Sequence, residues 1–137
     1  VINVDDVIET ANHFQCIDII IDQAKAALME RFIKELHLIL KNGTSDFRKD
    51  WFAVGDYKKL PNEVGGMETV HPEEVASGMK ELLAEYNNKK EKNLEEILDF
   101  HERFEYSHPF QDGYGRVGRF AYLTGRSLLQ NFKYAGV

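Results

Sequence analysis

Between His108 and Arg119 the chain reads HPFQDGYGRVGR, a short stretch that gathers an imidazole, a carboxylate, three glycines and two guanidinium groups. Phosphate chemistry suits that set. Successive backbone N–H groups in a glycine turn form an anion-binding concavity, and a helix starting just after it adds its positive end. Arg116 and Arg119 lie three apart, on one face of the first turn of such a helix, where the macrodipole makes cations unfavourable. A compensating anion is therefore expected, and phosphate fits because a guanidinium binds it bidentately. On spacing alone, a turn whose arginines pair with Asp112, Glu102 or Glu105 serves equally well.

Asp112 stands beside this phosphate turn as a lone carboxylate. Mg²⁺ commonly takes one or two carboxylates and fills its other positions with phosphate oxygens and water, so a single Asp suffices. An Asx turn or a helix cap is the structural alternative. His108 precedes Pro109, and an imidazole at such a break can act as a general base near neutral pH. A structural histidine is the competing reading.

Other chemistries fail on context. GYGRVG matches G-x-G-x-x-G literally, but the preceding LDFHERFEYSH has helical rather than strand period, and too little chain follows for the returning strand of a dinucleotide fold. The P-loop pattern is absent. Zinc is a poor fit, because His101 and His108 are seven apart, HERFE is not H-E-x-x-H, and no cysteine pair exists. His13, His37 and His71 are scattered and read as structural.

The elements that would position the turn fit one domain, residues 1–137, long enough at 43% apolar residues to bury a core. With 29% charged residues, disorder is not expected. The net charge of -6 argues against duplex nucleic acid as a partner, since phosphate neutralisation needs clustered Lys and Arg. Cys16 is the single cysteine, which suits a reducing compartment and a place in the core. No apolar run approaches the roughly 18 residues of a membrane span, and VINVDD lacks the layout of a signal peptide. A cytoplasmic protein without membrane contact is the expectation. Val1 in place of Met leaves room for a segment trimmed upstream.

Five helices are predicted. Val7, Ile8, Ala11, Phe14, Ile17 and Ile21 recur at three- and four-residue steps over Val4 to about Asp22. A second helix fits Leu28 to Lys41, with Phe32, Ile33, Leu36, Ile39 and Leu40 inward and Gly43 as its stop. From Thr44 to Val70 the period vanishes, leaving a loop with a small hairpin around LPNEVGG. Pro72 opens a third helix through Val75, Met79, Leu82, Leu83 and Tyr86. A fourth runs from Leu94 and must end near Ser107, because Pro109 disfavours helical geometry at His108. The fifth fits Arg116 to about Phe132, weakened by Gly118 and Gly125.

His-Pro-Phe-x-Asp-Gly-x-Gly-Arg-x-x-Arg, from His108 to Arg119, resembles the signature of the Fic family. ELHLILKNG, GDYKKLPNEVGG and LEEILDFHERFEYSHPF also look like Fic core segments, so the similarity spans about Asn12 to Leu129. The resemblance implies a mainly α fold, a Fic-type helical bundle with a short β-hairpin flap. It implies an activity that moves AMP from ATP onto a hydroxyl of a target protein. It makes His108 the base, Asp112 the Mg²⁺ ligand, and Gly113, Tyr114, Gly115, Arg116 and Arg119 the phosphate-binding positions. Phe110 becomes an apolar anchor for the loop. Tyr57 to Gly66 becomes the flap that docks the target, through Tyr57, Lys58, Pro61 and Asn62.

One motif position departs: the family has Asn between the two glycines, and this chain has Tyr114. Asn tolerates positive φ and offers a small amide, whereas Tyr brings a bulky ring. If the turn needs a left-handed residue there, Tyr costs roughly 1–3 kcal/mol or shifts the loop. An impaired or inactive nucleotide- or protein-binding module, and a relative that transfers UMP or another phosphoryl-linked group, therefore remain open beside the adenylyltransferase. Many Fic proteins are restrained by a helix carrying (Ser/Thr)-x-x-x-Glu-(Gly/Asn). No such motif occurs here, so an inhibitory helix or antitoxin-like partner is expected elsewhere if control exists.

Overall fold

In the computed structural model the described residues are 3–23, 27–89, 91–112 and 117–118. Helix α1 (Val4–Gln23) packs on α2 (Glu30–Lys41), and α3 (Pro72–Asn87) packs on α4 (Leu94–Ser107), with α2 also meeting α3. A two-stranded antiparallel hairpin, β1 (Glu63–Val64) and β2 (Met67–Glu68), lies in the long connection between α2 and α3. The mainly helical bundle with one small hairpin is the architecture expected from the sequence.

The inner face of α1 differs from its apparent stripe. Val7, Phe14 and Ile21 are exposed, while Cys16 and Ile20 are the buried positions. Apolar residues occur on almost every side of this helix, so spacing marks the helix without choosing its face. In α2 spacing does choose: Ile33, Leu36 and Leu40 are buried, with Phe32 and Ile39 packed against them.

Helix α2 begins at Glu30 rather than Leu28, because the backbone of Leu28 is paired elsewhere. The Leu28 N–H donates to Asn87 Oδ1 at 3.2 Å, and Asn87 Nδ2 donates to the Leu28 carbonyl at 2.7 Å. At the other end Gly43 takes φ 82°, the left-handed stop the sequence suggests. Asn12 of α1 donates to the carbonyls of Leu40 and Asn42, both at 2.9 Å, and so satisfies acceptors that a helix terminus leaves open.

The hairpin turns through Gly65 and Gly66, at φ 58° and 80°. A two-residue turn with both centres at positive φ matches the twist of the strands it joins, which is why this pair of residues sets the register Val64 opposite Met67. Thr44 to Val70 also holds an unforeseen 3₁₀ turn, Asp46–Arg48. Pro72 opens α3 as its first helical residue. Asn93 caps α4 by accepting the Glu96 N–H at 2.8 Å, a bond to an orphan donor of the first turn.

Of the fifth predicted helix, only Val117 and Gly118 are among the described residues; both are helical and buried. Gly118 owes its place to close approach, since a Cβ there would lie 2.7 Å from Glu105 Oε1 and 3.1 Å from Phe104 Cδ1. Among the described residues no helix is long and apolar enough to cross a membrane. Gly118→Ala should cost about 1–3 kcal/mol, because Phe104 is fully buried and has little room to move. A fall in the midpoint of urea unfolding checks this, and an unchanged midpoint would contradict the close packing.

Candidate active site

Helix α4 ends at His108, which takes φ 44° and ψ 60° while its N–H closes the last turn on the Glu105 carbonyl at 3.2 Å. Pro109 stops the helix from continuing. His108 is the non-glycine residue with positive φ among the described residues. Histidine tolerates this region better than most side chains, but the conformation still carries a cost.

Beyond this break the loop buries Pro109 and Phe110, so their carbonyls need protein donors. The Lys58 N–H reaches the Pro109 carbonyl at 2.8 Å, and Asn62 Nδ2 reaches that of Phe110 at 3.2 Å. The Leu60 backbone exchanges two longer bonds with the Gln111 amide, at 3.3 and 3.4 Å. His37 Nε2 donates to the Asp112 carbonyl at 2.8 Å. The segment 57–62 is therefore laced to the motif loop from one side while α2 holds it from the other.

His37 has one compatible tautomer. Its Nδ1 accepts the Gly55 N–H at 3.0 Å, so Nε2 carries the proton given to Asp112. The ring stacks on Phe110 with centroids 4.1 Å apart and planes 9° from parallel. Burial pulls its pKa down to about 4; the bond to the Asp112 carbonyl opposes the shift and the nearby Lys41 charge adds to it. His37 is thus a neutral structural histidine, as the sequence suggests.

Asp112 presents a side chain that is 59% exposed, with Oδ2 accepting from Lys41 Nζ at 2.5 Å. Lys41 is itself buried and also bonds Glu9 Oε1 at 2.5 Å and Asp46 Oδ2 at 3.3 Å. Burial works against its charge, but the carboxylates of Asp112 and Glu9 outweigh it and hold the ammonium pKa above its ordinary value. Hard carboxylate oxygen that is open to solvent suits Mg²⁺, which keeps most of its water. Among the described residues, Glu9, Asp46 and Asp112 form the grouping of acidic ligands close enough to share an ion.

The flap residues divide. Lys58 is buried, its Nζ donating to Asn62 Oδ1 at 2.7 Å and Thr69 Oγ1 at 2.8 Å, and burial lowers its pKa. Tyr57 is buried against Phe110, at 5.8 Å between ring centroids; burial first and Glu30 second push its phenol pKa upward. Pro61 and the hairpin strands are exposed, and Asn62 is half-buried. Gly113, Tyr114, Gly115, Arg116 and Arg119 lie outside the described residues.

Sequence reading misses Lys41, and sees His37 only as structural. The signal is present in α2: Ile33, Leu36, His37, Leu40 and Lys41 stand at i, i+3, i+4, i+7 and i+8, so both polar residues fall on the inner face. A buried polar residue on a core stripe needs partners, and His37 and Lys41 share one in the motif loop, Asp112.

The helical bundle, the flap and the motif loop together define a class of domain, and comparison agrees. The sequence matches the Fic/DOC family over residues 27–124. The chain belongs to that family, whose members are usually transferases. Its structure resembles a Fic domain containing signaling protein from Bacteroides thetaiotaomicron VPI-5482, at 28% identity and a TM-score of 0.79 over 92% of this chain and 50% of that one. It also resembles a Fic family protein from Desulfovibrio desulfuricans G20, at 26% identity and a TM-score of 0.75 over 98% of this chain and 40% of that one. This chain therefore spans half or less of the length of those proteins. No curated protein matches the sequence.

Two outcomes follow from this geometry. The unfolded chain protonates His37 near 6.5 and the folded chain only near 4, so stability is fully present above about pH 7 and is lost as pH falls through that window. The loss approaches about 3 kcal/mol at pH 4. Denaturant titrations at several pH values should show it, and His37→Gln should flatten the slope; an equally steep slope would remove His37 as its source. His108→Gly should relieve a backbone penalty of up to about 1 kcal/mol, because glycine adopts positive φ without a Cβ clash, and the unfolding midpoint reads that relief against the contacts of the imidazole. Loss of stability in that variant would mean that the His108 side chain, not its backbone, holds the loop.

Proposed function

We propose that the domain is a protein adenylyltransferase that moves AMP from ATP onto a Ser, Thr or Tyr hydroxyl of a target protein in the cytoplasm. The observation that carries this reading is His108, fixed at the helix break, with Asp112 four residues on and pinned through its carbonyl by His37. Membership of the Fic/DOC family supports a transferase at the level of the family. We take residues 1–137 as a single Fic-type domain.

In this reading the target hydroxyl oxygen attacks the α-phosphorus, and its proton passes to His108. The new O–P bond forms as the bond from that phosphorus to the pyrophosphate oxygen breaks, so AMP stays on the target and pyrophosphate leaves. Asp112 would hold Mg²⁺, which when bound would supply charge neutralisation to the leaving group. Gly113 and Gly115 cradle the phosphates, Arg116 and Arg119 clamp them, and Tyr114 stands between the glycines. Alignment supplies the rest of the rate. Tyr57, Lys58 and Asn62 hold the flap against the motif, which leaves Pro61 and the exposed strands to dock an extended target segment by main-chain pairing. An inhibitory helix upstream of these residues, or an antitoxin-like partner, would supply control where control exists.

Tyr114 favours a second reading, a Fic-fold binding module in which transfer is impaired or lost; a relative that moves UMP is the variant of the first. The test is label transfer from α-labelled ATP with Mg²⁺, to the protein itself and to a cell lysate, with UTP compared in parallel. Labelling by the parent that disappears in His108→Ala supports the enzyme, with a loss of at least about 100-fold. Labelling only after Tyr114→Asn identifies that residue as the block, and retained labelling in His108→Ala refutes the base.

A further inference from the structure

The end of α2 and the 3₁₀ turn just after it meet α1 and the distant motif loop at one buried cation. Lys41, the last residue of α2, is 1% exposed, and its Nζ donates to Glu9 of α1, to Asp46 of the 3₁₀ turn and to Asp112 of the motif loop. One oxygen from each acid lies within 4.8 Å of the others, the spacing at which hard oxygens share a divalent ion. The ammonium stands in that place with three protons for three carboxylates. A neutral residue there would leave like charges crowded together, and such a cluster draws a cation from solution.

We propose that Lys41 is the internal cation of this cluster and, through it, the positioning residue of Asp112. The ammonium holds Asp112 Oδ2, so the carboxylate meets a nucleotide-borne metal with its orientation already set, as outer-shell donors do for metal ligands. It also keeps Glu9 and Asp46 from recruiting a metal of their own, which would draw Asp112 toward α1. The positioning half rests on the reading of Asp112 as the Mg²⁺ ligand; the internal-cation half does not.

The experiment uses Mn²⁺ as probe, read by electron paramagnetic resonance, on the parent and on Lys41→Met. Without nucleotide, Lys41→Met should take up one Mn²⁺ per chain about tenfold or more tighter than the parent, and adding Glu9→Gln and Asp46→Asn should abolish that gain. A folded Lys41→Met, judged by its cooperative melt, that binds no more Mn²⁺ than the parent overturns the proposal. The parent itself supplies a measurement that needs no folded Lys41→Met: the ¹⁵N ammonium signal of Lys41, assigned by its movement in Asp112→Asn. Stoichiometric Mn²⁺ alone should leave that signal sharp, and broadening would overturn the internal cation.

Mn²⁺ with α,β-methylene-ATP, whose α–β link cannot break, should broaden the signal, because Asp112 would then hold the metal beside Lys41. In the Lys41→Met, Glu9→Gln, Asp46→Asn triple variant that complex should bind about tenfold more weakly. If the nucleotide complex binds the parent without broadening, Asp112 is not the ligand, and the reading in the preceding section fails together with the positioning half. If it broadens the signal yet binds the triple variant as tightly as the parent, positioning by Lys41 alone is overturned.

Discussion

A loop that leaves a helix through buried residues must find donors for its carbonyls, and much of this domain is arranged around that need. Buried Pro109 and Phe110 offer two such carbonyls and exposed Asp112 a third that is also paired, answered by the Lys58 backbone, the Asn62 amide and the His37 ring. Two of the donors come from the flap and one from α2. The flap and the second helix are thereby fixed to the same few atoms, which makes the position of the hairpin and that of the motif one structural variable. Phe110 completes the joint from the apolar side, stacked on the ring that bonds the residue two positions after it.

Legibility from sequence followed the physics of each element. Helix α2 could be read nearly to its last residue, since a clear inner stripe and a left-handed glycine act locally. The hairpin was legible from Gly65 and Gly66 for the same reason. The face of α1 was not, because Cys16 and Ile20 turn inward only through packing on α2, an interaction between segments. His108, Asp112 and the anchor Phe110 were visible through a resemblance to Fic proteins. Their supports were not, because Asp112, the motif-loop partner that His37 and Lys41 share, lies about seventy residues away in the chain and nothing local names it.

The two supports differ in kind. His37 is buried and neutral, so its contribution is a satisfied pair of hydrogen bonds with no charge to desolvate. Lys41 is buried and charged, and a buried ion cluster is weak evidence for stability because desolvation can match the Coulombic gain. Its value is better sought in geometry: three acids from three segments cannot crowd together unless something holds the charge between them. That requirement ties α1 and the 3₁₀ turn to the motif, although neither carries a motif residue.

His108 adds the complementary argument from strain. A fold selected for stability alone would place glycine at a left-handed helix end, as this chain does at Gly43. At the end of α4 it places histidine instead and accepts the cost, with the surrounding hydrogen bonds fixing the backbone on both sides of the break. The contrast between two helix ends of the same molecule is an observation that supports the proposed role of His108 as the base. His108 is four residues before the carboxylate that α2 holds in place, so strain and support converge on one loop.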